Sequence, residues 1–331
     1  MELSTVGIIA NPISGKDIRR LVAHGSVFDN QEKVRMVRRM LMGLSQTGVG
    51  RVVFMPDDYA IVERAGRGCK TTVAMAAIPM EVENRQEDST RAARWMAEHG
   101  VDCMIVLGGD GTSRAAAKGS LEVPLLPVST GTNNVFPYMV EASVAGLAAG
   151  LIATGQVARM NGTFRSCCLE VLREGRPPDL ALVDVAVYKD KFIASRAIWD
   201  LAKVSQLFLT RCRPDSIGLS ALGGQLHTIA PDEPCGLHLS LGSGARIVTA
   251  AIAPGLFQSV AVTGERRIAV GESISIADAP CVLALDGERE VEIPAGGRVS
   301  IRLSDHGPLV VDVRRTMACA QEQAVFVQSQ P

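Results

Sequence analysis

Aromatic side chains are scarce in this chain: two Trp, three Tyr and eight Phe in 331 residues. That is too few rings for a stacking platform on single-stranded nucleic acid. A surplus of charge is also missing. Lys and Arg total 34 and Asp and Glu 35, a formal net charge of −1, so no whole-molecule field draws in nucleic acid or an anionic membrane surface. Neither is expected as a partner. The eight cysteines are scattered without Cys-x-x-Cys spacing, and most sit in apolar contexts such as "VDCMIVL", so they read as reduced, buried small hydrophobes. His227 and His238 lack the spacing of zinc ligands. The most membrane-like window, "MVEASVAGLAAGLIATGQVA", is built from Ala and Gly and interrupted by Glu141. It reads as a packed helix rather than a bilayer span. The opening "MELSTVGIIANP" has no basic segment before its apolar run, so no export signal is expected and a cytoplasmic location fits the thiols.

What is present is alternation. "TVGIIANP", "RVVFMPD", "TVAMAAI", "CMIVLGG" and "LLPVSTG" are short apolar runs ending in turn residues, the pattern of buried parallel strands. Between them, "SGKDIRRLVA", "EKVRMVRRMLMGLSQTG" and "EDSTRAARWMAEHG" have helical spacing, the last with Ser or Asp as N-cap, Trp95 and Met96 on its apolar side and Gly100 as its stop. The spacing predicts an α/β N-terminal unit with a doubly wound parallel sheet over residues 1–140, its crevice at the carboxyl edge of the strands. From about residue 141 to 307 the texture is β-rich and Gly-punctuated, which predicts a second, mostly β domain. The segment 308–331 either finishes that domain or returns to the first.

Three strand ends carry the chemistry. In "MIVLGGDGTSRAAAKG", Gly108, Gly109, Asp110, Gly111 and Thr112 follow a strand and open a helix. Main-chain N–H groups there can converge on a phosphate, helped by the helix N-terminus. No Lys-Ser or Lys-Thr follows, so this is not a Walker A loop. A carboxylate in a phosphate cradle is a contradiction unless a cation stands between them. Asp110 therefore either binds Mg²⁺ or accepts a proton from an attacking hydroxyl, both steps of phosphoryl transfer; alone it also fits a tight Asx turn. "STGTNN", with Thr130, Gly131, Asn133 and Asn134, and "NPISG", with Asn11, Ser14 and Gly15, end two further strands in the same way. Lys16, Arg19 and Arg20, just beyond the last of these, read as a solvated helix face or as cations within reach of a phosphate.

The order "NPISG", "GGDGT", "STGTNN", then "ALVDVAV", "GLSALGG" and "LDGERE" resembles the superfamily of ATP-NAD kinases and the related diacylglycerol and sphingosine kinases. More narrowly, it is similar to the bacterial acetoin catabolism protein X branch, over about Ile8 to Glu290. The resemblance implies an NAD kinase-like two-domain fold and transfer of a phosphoryl group from ATP or polyphosphate, with Mg²⁺, to a hydroxyl of NAD(H) or a related small metabolite. It implies Asp110 as base or metal carboxylate, and the small and polar residues of the three loops as the nucleotide and phosphate site. Asp184 and Ser220 fall on the acceptor side, and Glu288 matches the proposed base of the lipid kinases. Asp-Gly between alternating strands also predicts a type I′ hairpin turn there. Val183 stands where NAD kinases carry Asn, which counts against NAD as the acceptor. The alternatives are a nucleotide-binding sensor that has lost transfer, and a lipid kinase. By analogy with the superfamily, an oligomer of identical chains is expected.

Overall fold

The computed structural model describes residues 3–14, 29–190 and 201–328. The helix expected from Ser14 onward, with Gly15, Lys16, Arg19 and Arg20, lies outside the described residues apart from Ser14 itself. All five expected N-terminal strands form: β1 (Thr5–Ala10), β2 (Arg51–Phe54), β3 (Ala74–Ala77), β4 (Cys103–Gly108) and β5 (Leu125–Ser129). They pair in parallel in the order β3-β2-β1-β4-β5. Their continuous apolar runs suit a sheet covered on both faces. Ala10 pairs with Leu107 and Gly108 with Ser129, so β1, β4 and β5 end nearly level. Strand order reverses between β1 and β4, the switch point where open α/β sheets bind ligands.

One face of this sheet is covered by α1 (Asn30–Gln46), α2 (Ile61–Gly66) and α5 (Ala142–Ala153), the other by α3 (Gln86–Glu98) and α4 (Asp110–Gly119). The α1 helix starts at an Asp29 cap that accepts from Glu32 N–H at 2.7 Å. The α3 helix starts earlier than its Ser or Asp residues imply: Arg85 occupies the N-cap, and Asp88, one turn in, accepts from Arg85 N–H at 3.2 Å. Met96 is fully buried as expected, while Trp95 is half-buried and stacks on His99 at 3.8 Å. The Ala/Gly-rich window is α5, capped by the Glu141 carboxylate. A Cβ at Gly146 would lie 2.3 Å from Met40 O of α1, and one at Gly43 would lie 2.4 Å from Ser143 O. Glycine at those points lets the two backbones touch.

The first unit therefore runs past the composition boundary at residue 141. It takes in α5, α6 (Arg159–Gly162) and β6 (Thr163–Arg165), because the small residues that end the helical texture are the ones packed against α1. The chain then builds two antiparallel sheets. Four strands, β13 (Ser273–Ser275), β16 (Val299–Ser304), β7 (Cys168–Arg173) and β8 (Asp179–Ala181), form one. Six form the other: β12 (Leu256–Ala269), β11 (Cys235–Ala253), β10 (Val204–Leu209), β9 (Asp184–Tyr188), β14 (Cys281–Leu285) and β15 (Glu288–Ile293). A short α7 (Ser220–Gly224) packs on β11. Finally β17 (Leu309–Val311) returns to the first sheet between β5 and β6, and α8 (Val313–Glu322) docks on α5 and α6. All eight cysteines are free, five of them buried; burial pushes the Cys103 and Cys168 thiols up to about 12. Among the described residues no helix is long and apolar enough to cross a membrane.

The close α1/α5 crossing sets a test. Gly146→Ala gains roughly 1 kcal/mol in helix propensity but drives a methyl into backbone, so a net loss of about 1–3 kcal/mol is expected in urea unfolding. An unchanged or raised midpoint would contradict the crossing.

Candidate functional site

Each of the three loops is built from its own strand end and then tied to a neighbour. Asn11 N–H donates to Leu107 O at 3.1 Å, and its side-chain oxygen accepts from Ile13 N–H at 2.8 Å, an Asx turn that bends "NPISG" over the sheet. Asn11 Nδ2 donates to Thr112 Oγ1 at 2.9 Å, and Ser14 Oγ lies 3.0 Å from Thr130 Oγ1. Beneath this loop sits Lys33, fully buried, its ammonium donating to Asn11 O, Ser14 O and Asn30 Oδ1 at 2.7–3.1 Å.

Asp110 is the first residue of α4, with Gly109 as N-cap. Its carboxylate turns toward the neighbouring loop: Oδ1 accepts from Val135 N–H at 3.0 Å and from Phe136 N–H at 2.7 Å. Backbone donors of this kind stabilise the charged form. The cradle around it is tight. Added Cβ atoms would lie 2.7 Å from Asn134 Oδ1 at Gly109 and 3.5 Å from Glu288 Oε1 at Gly111. Gln86 Nε2 holds Gly111 O at 2.8 Å. Asn134 Nδ2 donates to Ser129 Oγ at 2.8 Å, closing the "STGTNN" turn.

The second unit brings Asp184, Asp286 and Glu288 to the same place. Asp286 and Gly287 both have positive φ, 51° and 79°, and join β14 to β15 with Leu285 opposite Glu288. The segment is thus a type I′ turn and part of the site at once. The Asp286 side chain is sealed from solvent. It accepts from Leu182, Val183 and Asp184 N–H at 2.7–3.2 Å and lies 3.5 Å from Arg114 Nε, likewise fully buried. Burial pushes its carboxyl above the usual Asp range, opposed by Arg114 and those amides. Arg211, 4% exposed, stacks on Phe136 at 4.6 Å from the ring centroid. Burial lowers its pKa against the pull of Tyr138, Asp110 and Asp286.

Between the units opens a cleft. Asp110, Asn133 and Val135 line one wall; Asp184, Asp286, Gln258 and the apolar Leu219, Ile252 and Leu256 line the other. Asp110, Gly109, Gly111, Asn133, Asn134 and Glu288 are half-buried at or beside it. Gly108 is the buried end of β4, and Gly131 accepts from Ser129 Oγ at 2.7 Å. Thr112 and Thr130 are buried, with their hydroxyls spent between loops. Gly15 lies outside the described residues. The acceptor role expected for Ser220 does not fit. Its side chain is fully buried and donates to Arg211 O at 2.8 Å, because Ser220 opens α7, which packs on β11, while Gly218 and Leu219 just before it line the cleft. Val183 is fully buried in the core under the sheet, so apolar replacement of the expected Asn follows from packing at that position. Among the described residues no three His, Cys, Asp or Glu side chains converge to hold a metal. Mg²⁺ commonly takes one or two carboxylates and completes its shell with water and phosphate oxygens, which suits Asp110 on the cleft wall.

Three buried cations near the cleft gave little sign in the sequence. Lys33 falls at core spacing with Met36, Val37 and Met40, and a lysine on an apolar stripe was the available signal. Arg114 lies one helical turn after Asp110. Arg211 carried no signal, since its role comes from tertiary packing against Phe136.

Known proteins bear on this geometry. Residues 6–157 match the ATP-NAD kinase N-terminal domain, and residues 167–306 match the acetoin catabolism protein X C-terminal domain. The acetoin catabolism protein X of Cupriavidus necator is 37% identical over 326 residues, covering 94% of this chain and 91% of that one. Among solved structures, a proposed diacylglycerol kinase from Bacillus anthracis str. Sterne aligns over 94% of this chain and 99% of its own, at 14% identity and a TM-score of 0.44.

The Lys33 cluster can be tested directly. Lys33→Met removes the donor for three inward-facing oxygens, and each unsatisfied buried acceptor costs roughly 1–3 kcal/mol. The expected result is a clear fall in melting temperature together with faster proteolysis of the first loop. Wild-type stability would show that Lys33 does not hold that loop.

Proposed function

The chain belongs to the acetoin catabolism protein X family, and on that premise we propose that it is a Mg²⁺-dependent phosphotransferase that moves the γ-phosphoryl group of ATP to a hydroxyl of a small acceptor bound in the cleft. The observation that carries this reading is that Glu288 of the second unit lies beside Gly111, the residue after Asp110, which two backbone amides pin on the first unit.

The three loops at the switch point would hold the triphosphate, with α4's N-terminal amides beside it. Mg²⁺ takes one or two carboxylates and fills its shell with water and phosphate oxygens, so Asp110 is assigned to the Mg²⁺ ion and Glu288 to the acceptor proton. When bound, Mg²⁺ would neutralise charge on the phosphate oxygens. The acceptor oxygen attacks the γ-phosphorus, its proton passes to Glu288, and ADP leaves. Asp184 and the apolar wall from the β11/β12 hairpin would orient the acceptor. NAD(H) and small hydroxylated metabolites, acetoin-pathway compounds included, are the candidate acceptors; the relative's name supports the last group.

The test is a panel: ATP and Mg²⁺ with NAD, NADH, diacylglycerol or acetoin, reading phosphate transfer with and without EDTA. Asp110→Asn keeps an oxygen for the two amides, so the fold should persist while transfer falls roughly 10²–10⁴-fold. A near-wild-type rate in that variant would remove Asp110 from the mechanism. Nucleotide binding with no product from any acceptor would make the chain a sensor.

A further inference from the structure

We infer that Arg114 is a positioning residue for the proposed transfer: it touches no substrate, and through Asp286 it sets the distance between the Asp110 helix and the Glu288 strand. This rests on the phosphotransferase reading of the cleft.

Asp110 and Arg114 are one turn apart on α4, so they share a helix face, roughly 6 Å apart along its axis. That face meets the second unit. Arg114 Nε stands 3.5 Å from Asp286 Oδ2, with both side chains at 0% exposure. Asp286 in turn gathers the N–H groups of Leu182, Val183 and Asp184, and its own N–H donates to Asp184 O at 2.9 Å. Two residues on is Glu288. The route Asp110, one helical turn, Arg114, Asp286, Gly287, Glu288 therefore begins and ends on the two carboxylates assigned to the reaction, and its one non-covalent link is the buried ion pair. Burying two charges is a costly way to obtain cohesion, since apolar residues of similar size often do as well. What an ion pair supplies and an apolar contact does not is a fixed register between the partners. Asp184, on the cleft wall, hangs from the same clamp.

The experiment uses the full chain with Arg114→Met/Asp286→Asn, which leaves no lone buried charge and keeps a residue type that tolerates positive φ, beside Arg114→Lys. Three quantities are read: binding of Mg·AMP-PNP, ADP formation from Mg·ATP (with water as acceptor if no other is found), and hydrogen exchange at Leu182–Asp184. The expected result for the double variant is AMP-PNP affinity within about threefold of wild type and ADP formation lower by about 100-fold, the scale of a 1 Å misplacement. Arg114→Lys, lacking the planar fork, should fall between the two. Turnover near wild type in the folded double variant would overturn the inference. So would parallel losses of binding and turnover that follow the folded fraction. Should wild type bind no nucleotide at all, the phosphotransferase reading falls, and exchange decides the clamp. At least tenfold faster exchange at Leu182–Asp184, with Ile105–Leu107 unchanged, would uphold it. Unchanged protection would overturn it.

Discussion

β1, β4 and β5 stop at nearly the same height, and the arrangement of the three loops around the cleft depends on that register. Because Ala10 is level with Leu107 and Gly108 with Ser129, the three turns that follow are neighbours. Polar side chains too short to reach across a fold can then bind one another: Asn11 to Thr112, Ser14 to Thr130. A one-residue slip would also exchange the faces of every side chain in the strand, so the buried apolar runs that fill the core fix the polar contacts as well.

Asp110 shows how one such contact serves two ends. A carboxylate at the first position of a helix interacts favourably with the helix N-terminus. Here its oxygens also take the amides of Val135 and Phe136, so the charge that fastens the second and third loops together is also the charge exposed to the cleft. Removing it would loosen the contact between those loops. Phe136 extends the connection: its ring carries the Arg211 guanidinium, so the loop held by Asp110 also supports a residue of the second unit.

Much of this was legible from sequence, for physical reasons. Strands buried on both faces read as unbroken apolar runs, and "TVGIIANP" through "LLPVSTG" all became strands. Glycine clusters mark close approach, and "GGDGT" does bring its backbone against Asn134, Gln86 and Glu288. The Asp-Gly pair at residues 286–287 signalled a turn, as its positive φ values require. Where reading failed, the missing information was tertiary. Small residues after position 141 looked like the start of a new texture but were selected for contact with α1. Resemblance alone puts Ser220 on the acceptor side, and its burial in α7 against β11 comes from tertiary packing. Arg114 meets Asp286, far along the chain in the turn between β14 and β15. Local pattern carries no sign of such pairings.

The last strand of the first sheet has a consequence for how the molecule comes to exist. β17 is inserted between β5 and β6, so Thr163–Arg165 wait for Leu309–Val311 before they have a neighbour. During synthesis the α/β unit emerges first yet stays with an open seam until the β-sheet unit has been made. The two halves are interlocked in chain order, and neither can be cut away at a single peptide bond without leaving the other a raw edge.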